Sequence, residues 1–288
     1  MVAKLQPQRP LLPPHRGGTG IVGGVAQNGQ VSTPSERVVT ADYPGCPVTV
    51  QEALDRGEVL RVPRWGIGSA LIAIFGAVIL AVIAGLVALA ADASLFVLVI
   101  AGTLVPWIAL AGWPMFATWW KGNGPRIDLG LRLTWSDIGW GVLAGFIGLI
   151  LAATIALITQ AIVGDFSSAA GDVAVRLRDE GPPWTLVVFA LLIMVGAPIV
   201  EEIAFRGQLF NALRKKGVST WLTIVITAVA FSAFHLEPVR FFLLLPIGLV
   251  YGWVRWKTGS LGAAMVAHGV NNAPAALVLL LGFPEVTP

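Results

Sequence analysis

Long apolar runs separated by short polar connections dominate the chain after residue 66. They cover residues 67–91, 93–120, 138–164, 184–214, 218–235, 239–256 and 260–282. About 20 apolar residues in a helix cross the hydrocarbon core of a bilayer, and each run is close to or above that length. Backbone groups in lipid must form their hydrogen bonds within the segment, which favours helices. The pattern predicts an all-α polytopic membrane protein with about seven transmembrane helices.

The ends of the chain have a different composition. Residues 1–48 are rich in Pro, Gly, Gln, Ser and Thr and show no helical or strand period, which predicts disorder. Residues 48–62 could form either a short surface helix or a solvated linker. We therefore expect a disordered cytoplasmic tail over 1–65, three transmembrane helices with their loops over 66–183, the remaining helices over 184–282, and a short tail over 283–288.

Composition and charge agree with a membrane protein. The chain is 56% hydrophobic and 12% charged, whereas soluble domains are about 25% charged. A net charge of +3 is too small to indicate nucleic-acid binding, so the lipid bilayer is the expected partner. With one cysteine, Cys46, the chain has no internal disulfide and too few thiolates for a structural zinc site.

Basic residues predict the orientation of the helices. They concentrate before Gly66 and in the loops at 121–137, 206–217 and 255–257. The connections that fall on the other side contain only Arg176, Arg178 and Arg240. Cytoplasmic loops carry an excess of Lys and Arg. We therefore expect a multi-pass protein of the cell membrane with its N-terminus in the cytoplasm and its C-terminus outside.

Three charged residues follow directly on the apolar run 184–200. They are Glu201, Glu202 and Arg206. A charge at the bilayer centre costs roughly 2.5–3.5 kcal/mol on insertion scales, so it persists when paired or facing a polar cavity. Glu202 and Arg206 are i,i+4 neighbours and can form an ion pair. Glu201 points elsewhere on the helix and remains available for chemistry.

Further polar residues occur at similar depths in later helices. With a rise of about 1.5 Å per residue, Glu201, His235 and Asn272 lie roughly 20, 24 and 18 Å from the basic ends of their helices, and His268 about 12 Å. We expect them to form one site. A carboxylate and a histidine can activate a water, and a second histidine with an amide can stabilise an oxyanion. This set suits the hydrolysis of an amide bond.

The motifs resemble those of the CPBP family of intramembrane proteases, the CAAX-processing and bacteriocin-processing group also called Abi. The family's Glu-Glu-x-x-x-Arg, Phe-x-x-x-His and His-x-x-x-Asn motifs match residues 201–206, 231–235 and 268–272. The resemblance implies a glutamate-dependent endopeptidase in which Glu201 and His235 activate water. His268 and Asn272 would form the oxyanion site, and Glu202 and Arg206 would support the geometry. We expect no cofactor, and a peptide or membrane protein, lipidated or not, as substrate.

Three alternatives fit the same residues. Glu201, His235 and His268 are a ligand set that could bind catalytic zinc, as in a membrane metalloprotease. The fold could also serve as a non-catalytic scaffold or immunity protein. Buried Glu and His residues occur in proton-coupled transporters too, although we find no internal repeat of the kind that many transporters show.

Overall fold

A computed structural model describes residues 47–281, which fold into helices without a β-strand. In chain order the helices are α1 (Val48–Asp55), α2 (Ile67–Ala90), α3 (Leu95–Lys121), α4 (Pro125–Leu129), α5 (Trp135–Val163), α6 (Ala169–Glu180), α7 (Pro183–Lys215), α8 (Thr220–Phe234), α9 (Pro238–Thr258) and α10 (Leu261–Leu281). The predicted all-α class is confirmed.

Six helices of the described region are long and apolar enough to cross a membrane: α2, α3, α5, α7, α9 and α10. Helix α8 is apolar but has 15 residues, about 22 Å at the usual rise. The prediction of about seven membrane helices is close to this result. Helix α8 is short because Ser219 caps its start and Pro238 begins the next helix three residues after His235.

The first part of the described region differs from the predicted tail boundary at residue 65. Helix α1 buries Val50 and Ala53, which pack with Leu60 against Ile127. The Thr49 hydroxyl donates a hydrogen bond to the Ile127 carbonyl at 2.8 Å. Contacts that are distant in sequence therefore fold residues 47–65 onto the membrane helices. The remainder of the predicted N-terminal tail, residues 1–46, and the tail predicted over 283–288 lie outside the described residues.

The connection at 165–183 also contains structure that the sequence pattern did not predict. Helix α6 occupies Ala169–Glu180, and the preceding residue Ser168 caps it by accepting a hydrogen bond from the Gly171 amide at 2.9 Å. Leu177 and Ala174 bury against Phe189 of α7. The outer face of α6 is charged. Its apolar residues are therefore too few to form a long apolar run like those that predicted the membrane helices.

One end of the helix bundle is defined by backbone hydrogen bonds between distant connections. The Val48 amide donates to the Gly259 carbonyl, the Leu261 amide to Gly130, and the Arg64 amide to Lys121. The start of α2, α5, α8 and α10 and the end of α3, α7 and α9 lie here. We call this the basic end, because its loops carry most of the Lys and Arg residues.

The opposite end, which we call the α6 end, is closed by different contacts. The Ala169 amide donates to Glu237 Oε1 at 3.1 Å, joining α6 to the start of α9. The rings of Phe96 and Trp184, at the starts of α3 and α7, lie 4.7 Å apart. Each membrane helix therefore runs between the two ends.

Close packing of α5 on α10 positions the last of the polar motifs. Gly141, Gly145 and Gly148 of α5 face α10, where a Cβ on Gly145 would lie 2.6 Å from the Val270 Cβ. Small residues allow two membrane helices to approach at backbone distance. The segment of α10 that bears His268 and Asn272 is thereby held against α5.

Candidate active site

Glu202 and Arg206 form a fully buried ion pair on α7. Arg206 Nη1 donates to Glu202 Oε1 at 3.0 Å, and neither side chain is exposed. The second guanidinium nitrogen donates to the Gly248 carbonyl of α9 at 2.9 Å. The guanidinium also lies 4.5 Å from the centre of the Phe231 ring. The pair thus joins α7 to α8 and α9 behind the site.

The imidazole of His268 is fixed by the same carboxylate. Its Nδ1 lies 3.1 Å from Glu202 Oε1, and a carboxylate accepts, so Nδ1 donates its proton. The ring stacks on Tyr251 at 4.8 Å and meets the edge of Phe231 at 5.5 Å. These contacts direct Nε2 towards Glu201, whose Oε2 lies 3.9 Å away.

Glu201 is the less constrained of the two glutamates. Its side chain is 14% exposed and lines a cavity, whereas Glu202 is 0% exposed. Its Oε2 has no hydrogen-bond partner within residues 47–281. The 3.9 Å separation from His268 Nε2 is too long for a direct hydrogen bond. Glu201 therefore presents an unused acceptor to the cavity.

His235 reaches the same cavity from the end of α8. Its Nδ1 lies 2.9 Å from the Phe231 carbonyl. Because a carbonyl only accepts, this contact places the proton on Nδ1 and leaves the lone pair of the neutral ring on Nε2. The backbone of α8 thus fixes the tautomer of His235.

Asn272 approaches from α10. Its Nδ2 donates to the Ile193 carbonyl at 2.8 Å. Ile193 lies in a π-helical turn of α7, Leu192–Gly196, where the wider backbone leaves carbonyls without the usual α-helical partner. An amide nitrogen has two donors, so one N–H of Asn272 remains for another acceptor.

The four predicted catalytic residues share one cavity. It has a volume of about 470 Å³ and is lined by Glu201, His235, His268 and Asn272. Glu202 and Arg206, the predicted supporting residues, lie buried behind it. The structure thus brings the six predicted residues to one place, while their individual roles in catalysis remain predictions.

Sequence reasoning missed the part that α9 plays in the site. Tyr251 stacks on His268 and lines the cavity, and the Gly248 carbonyl accepts from Arg206. Tyr251 is one of two tyrosines in the chain, and a tyrosine in the middle of an apolar run was a usable signal. A backbone carbonyl such as that of Gly248 gives no sequence signal.

The zinc alternative requires three ligands directed at one point. Among residues 47–281 no group of three His, Cys, Asp or Glu side chains is placed to hold a metal ion. Glu201 Oε2 and His268 Nε2 are 3.9 Å apart, and His235 keeps the lone pair of its Nε2. In the described residues, the third ligand that this alternative needs is not placed with the other two.

Comparison with known proteins identifies the same segment of the chain. The family model of the type II CAAX prenyl endopeptidase Rce1-like proteins matches residues 183–274, from the start of α7 into α10. No curated protein and no solved structure matches the chain. The family match covers all three polar motifs and the helices that carry them. Over residues 183–274 the chain is therefore similar to the CAAX protease family, the CPBP or Abi group of membrane proteases.

Proposed function

We propose that the protein is an intramembrane endopeptidase that hydrolyses a peptide bond with a water activated by Glu201 and His235. The observation that carries the proposal is the free acceptor of Glu201 in a cavity that also contains the lone pair of His235. Both groups accept protons, so both can bind and polarise one water. The family match supports a peptidase at the level of the family.

In the proposed reaction, Glu201 takes a proton from the bound water while His235 orients it. The hydroxide forms a bond to the peptide carbonyl carbon, and the carbonyl electrons move to the oxygen. The remaining N–H of Asn272 and a protonated Nε2 of His268 stabilise this oxyanion. Collapse breaks the C–N bond, and the proton returns from Glu201 to the leaving amine. Glu202 accepts from Nδ1 of His268, so a cationic imidazole would present its second N–H, at Nε2, to the cavity.

Glu201→Gln tests the proposal directly. The change keeps the shape of the side chain and removes the base, so we expect proteolysis to fall by at least about 100-fold, the usual contribution of a general base. The measurement compares new peptide termini in membranes that contain wild type or variant. Glu180→Gln, on the exposed face of α6, is the matched control and should leave cleavage unchanged.

A chelator provides the second arm of this experiment. We expect purified wild-type enzyme in lipid vesicles to keep its activity in excess EDTA or phenanthroline. Loss of activity with rescue by zinc alone would support the metalloprotease instead. If Glu201→Gln cleaves as fast as wild type while folding normally, the proposed mechanism is wrong.

A further inference from the structure

The two ends of the bundle differ sharply in charge. Among the described residues, the cations at the basic end are Arg56, Arg61, Arg64, Lys121, Arg126, Arg132, Arg214, Lys215, Lys216, Arg255 and Lys257. The α6 end carries Arg176, Arg178 and Arg240, and each has a carboxylate within 3.3 Å. An excess of Lys and Arg marks the cytoplasmic ends of membrane helices. This distribution orients the basic end towards the cytoplasm.

The cavity reaches the surface at the α6 end. Its lining includes Ala170 and Gly171 of α6, which are exposed, and Arg240 in the first turn of α9. Val278, near the end of α10, also lines it and is 51% exposed. These residues all lie at the end of the bundle opposite the basic loops.

A buried polar layer separates the site from the basic end. Arg255 Nε donates to the Arg206 carbonyl at 3.1 Å, and its Nη2 lies 3.2 Å from Asn211 Oδ1. Asn211 Nδ2 in turn donates to the Asp128 carbonyl at 2.9 Å. All four residues are at most 1% exposed. A peptide that approached from the basic loops would have to break this layer to reach Glu201.

We infer that the catalytic cavity opens to the extracytoplasmic face, so that its substrate is a peptide segment exposed or emerging on that side of the membrane. That this cavity takes a peptide substrate rests on the proposed function. The side of the membrane to which it opens rests on the charge distribution. A peptide at the cytoplasmic face, including a lipidated cytoplasmic C-terminus, would meet the closed end. The class of substrate is thus a secreted or membrane-anchored chain cleaved on its outer side.

Accessibility of single cysteines tests the direction of the opening. In a Cys46→Ser background, Ala170→Cys places a thiol at the cavity opening, and Lys216→Cys places one at the basic end; both positions are exposed. We expect a membrane-impermeant maleimide to label Ala170→Cys in intact cells and Lys216→Cys only in inside-out vesicles. The reverse pattern would overturn the inference.

A two-sided reporter tests the side of cleavage. One peptide segment is fused to a single transmembrane helix so that it lies outside in one version and in the cytoplasm in the other. We expect cleavage of the outer version, abolished by Glu201→Gln, and none of the cytoplasmic version. Glu201-dependent cleavage of the cytoplasmic version alone would overturn the inference. If neither is cleaved, the proposed function is contradicted, and the cysteine labelling still decides the direction.

Discussion

Glu201 and Glu202 are neighbours in sequence and have different surroundings. Glu202 Oε1 accepts from Arg206 at 3.0 Å and from His268 at 3.1 Å. Glu201 lines the cavity and is 14% exposed, and neither of its oxygens accepts from a cation at hydrogen-bond distance within residues 47–281. A buried charge needs a partner, and the Glu202 carboxylate pairs with both the Arg206 guanidinium and the His268 imidazole. We therefore expect that replacing Glu202 will affect stability and that replacing Glu201 will affect activity.

Changing the buried pair should lower stability. In Glu202→Gln the guanidinium of Arg206 loses its counter-charge. In Arg206→Ala the Glu202 carboxylate loses its positively charged partner. Removing one partner of a buried pair costs about 3–5 kcal/mol. We expect a lower thermal unfolding midpoint in detergent and lower yield, with Glu201→Gln close to wild type.

The exposed pair on α6 provides a control for that prediction. Arg176 and Glu180 have the same i,i+4 spacing and are 57% and 53% exposed. Exposed pairs contribute little to stability, so Arg176→Ala should leave the midpoint unchanged. If Glu201→Gln and Glu202→Gln lowered the midpoint equally, the division of roles between the glutamates would be wrong.

At the scale of helices, the site depends on how closely α5 and α10 approach. Gly145 faces the Ala267 carbonyl and the side chain of Val270, which lies between His268 and Asn272 in α10. Any side chain at position 145 would move α10, and with it His268 and Asn272. The positions of these two proposed catalytic residues thus depend on the missing side chain of Gly145.

Gly145→Ala should therefore reduce both stability and activity. Alanine normally favours a helix over glycine, but its Cβ would lie 2.6 Å from the Val270 Cβ. Overpacking of this kind costs about 1–3 kcal/mol. Thermal unfolding and the cleavage assay measure the two effects.

Gly139→Ala is the matched control on the same helix. A Cβ at this position meets no atom within 4 Å. We expect wild-type activity and an unchanged or slightly higher unfolding midpoint, because only helix propensity changes. Equal behaviour of the two variants would show that the α5–α10 approach tolerates a methyl group.

At the scale of the whole molecule, Asp128 joins the connections at the basic end. Its Oδ2 accepts from Trp65 Nε1 at 2.6 Å and from the Asn123 amide at 3.0 Å, while its carbonyl accepts from Asn211 of α7. The segment before α2, the loop after α3 and the end of α7 thus meet at one short helix, α4. The basic end is a structural closure rather than a loose set of loops.

Asp128→Ala should loosen this closure. Hydrogen bonds to a charged group contribute about 1.5–3 kcal/mol each, so loss of those from Trp65 and Asn123 should lower the unfolding midpoint by several degrees. Asp172→Ala, on the exposed side of α6, is the control. We expect cleavage at low temperature to survive, because the hydrogen bonds of Asp128 in the described region join it to Trp65, Asn123 and Asn211 and not to the proposed catalytic residues. Wild-type stability of Asp128→Ala would contradict the closing role of this residue.

Much of the fold could be predicted from local pattern. The membrane runs predicted α2, α3, α5, α7, α8, α9 and α10 to within a few residues, because lipid requires long uncharged helices. Helices α4 and α6 were missed, and for α1 the sequence left a short helix and a linker open. Each is short or amphipathic, and is held by contacts such as Thr49 with Ile127 that lie 78 residues apart.

The sequence by itself determined the membrane class, the helix order, the motifs on α7, α8 and α10, and the i,i+4 pairing of Glu202 with Arg206. These follow from hydrophobic length and helical spacing, which act over a few residues. Only the tertiary structure decided that Glu202 also holds His268, 66 residues away, that Tyr251 completes the site, and that the cavity opens at the α6 end. These contacts depend on how separate helices pack, and no local pattern encodes the direction in which a packed cavity opens.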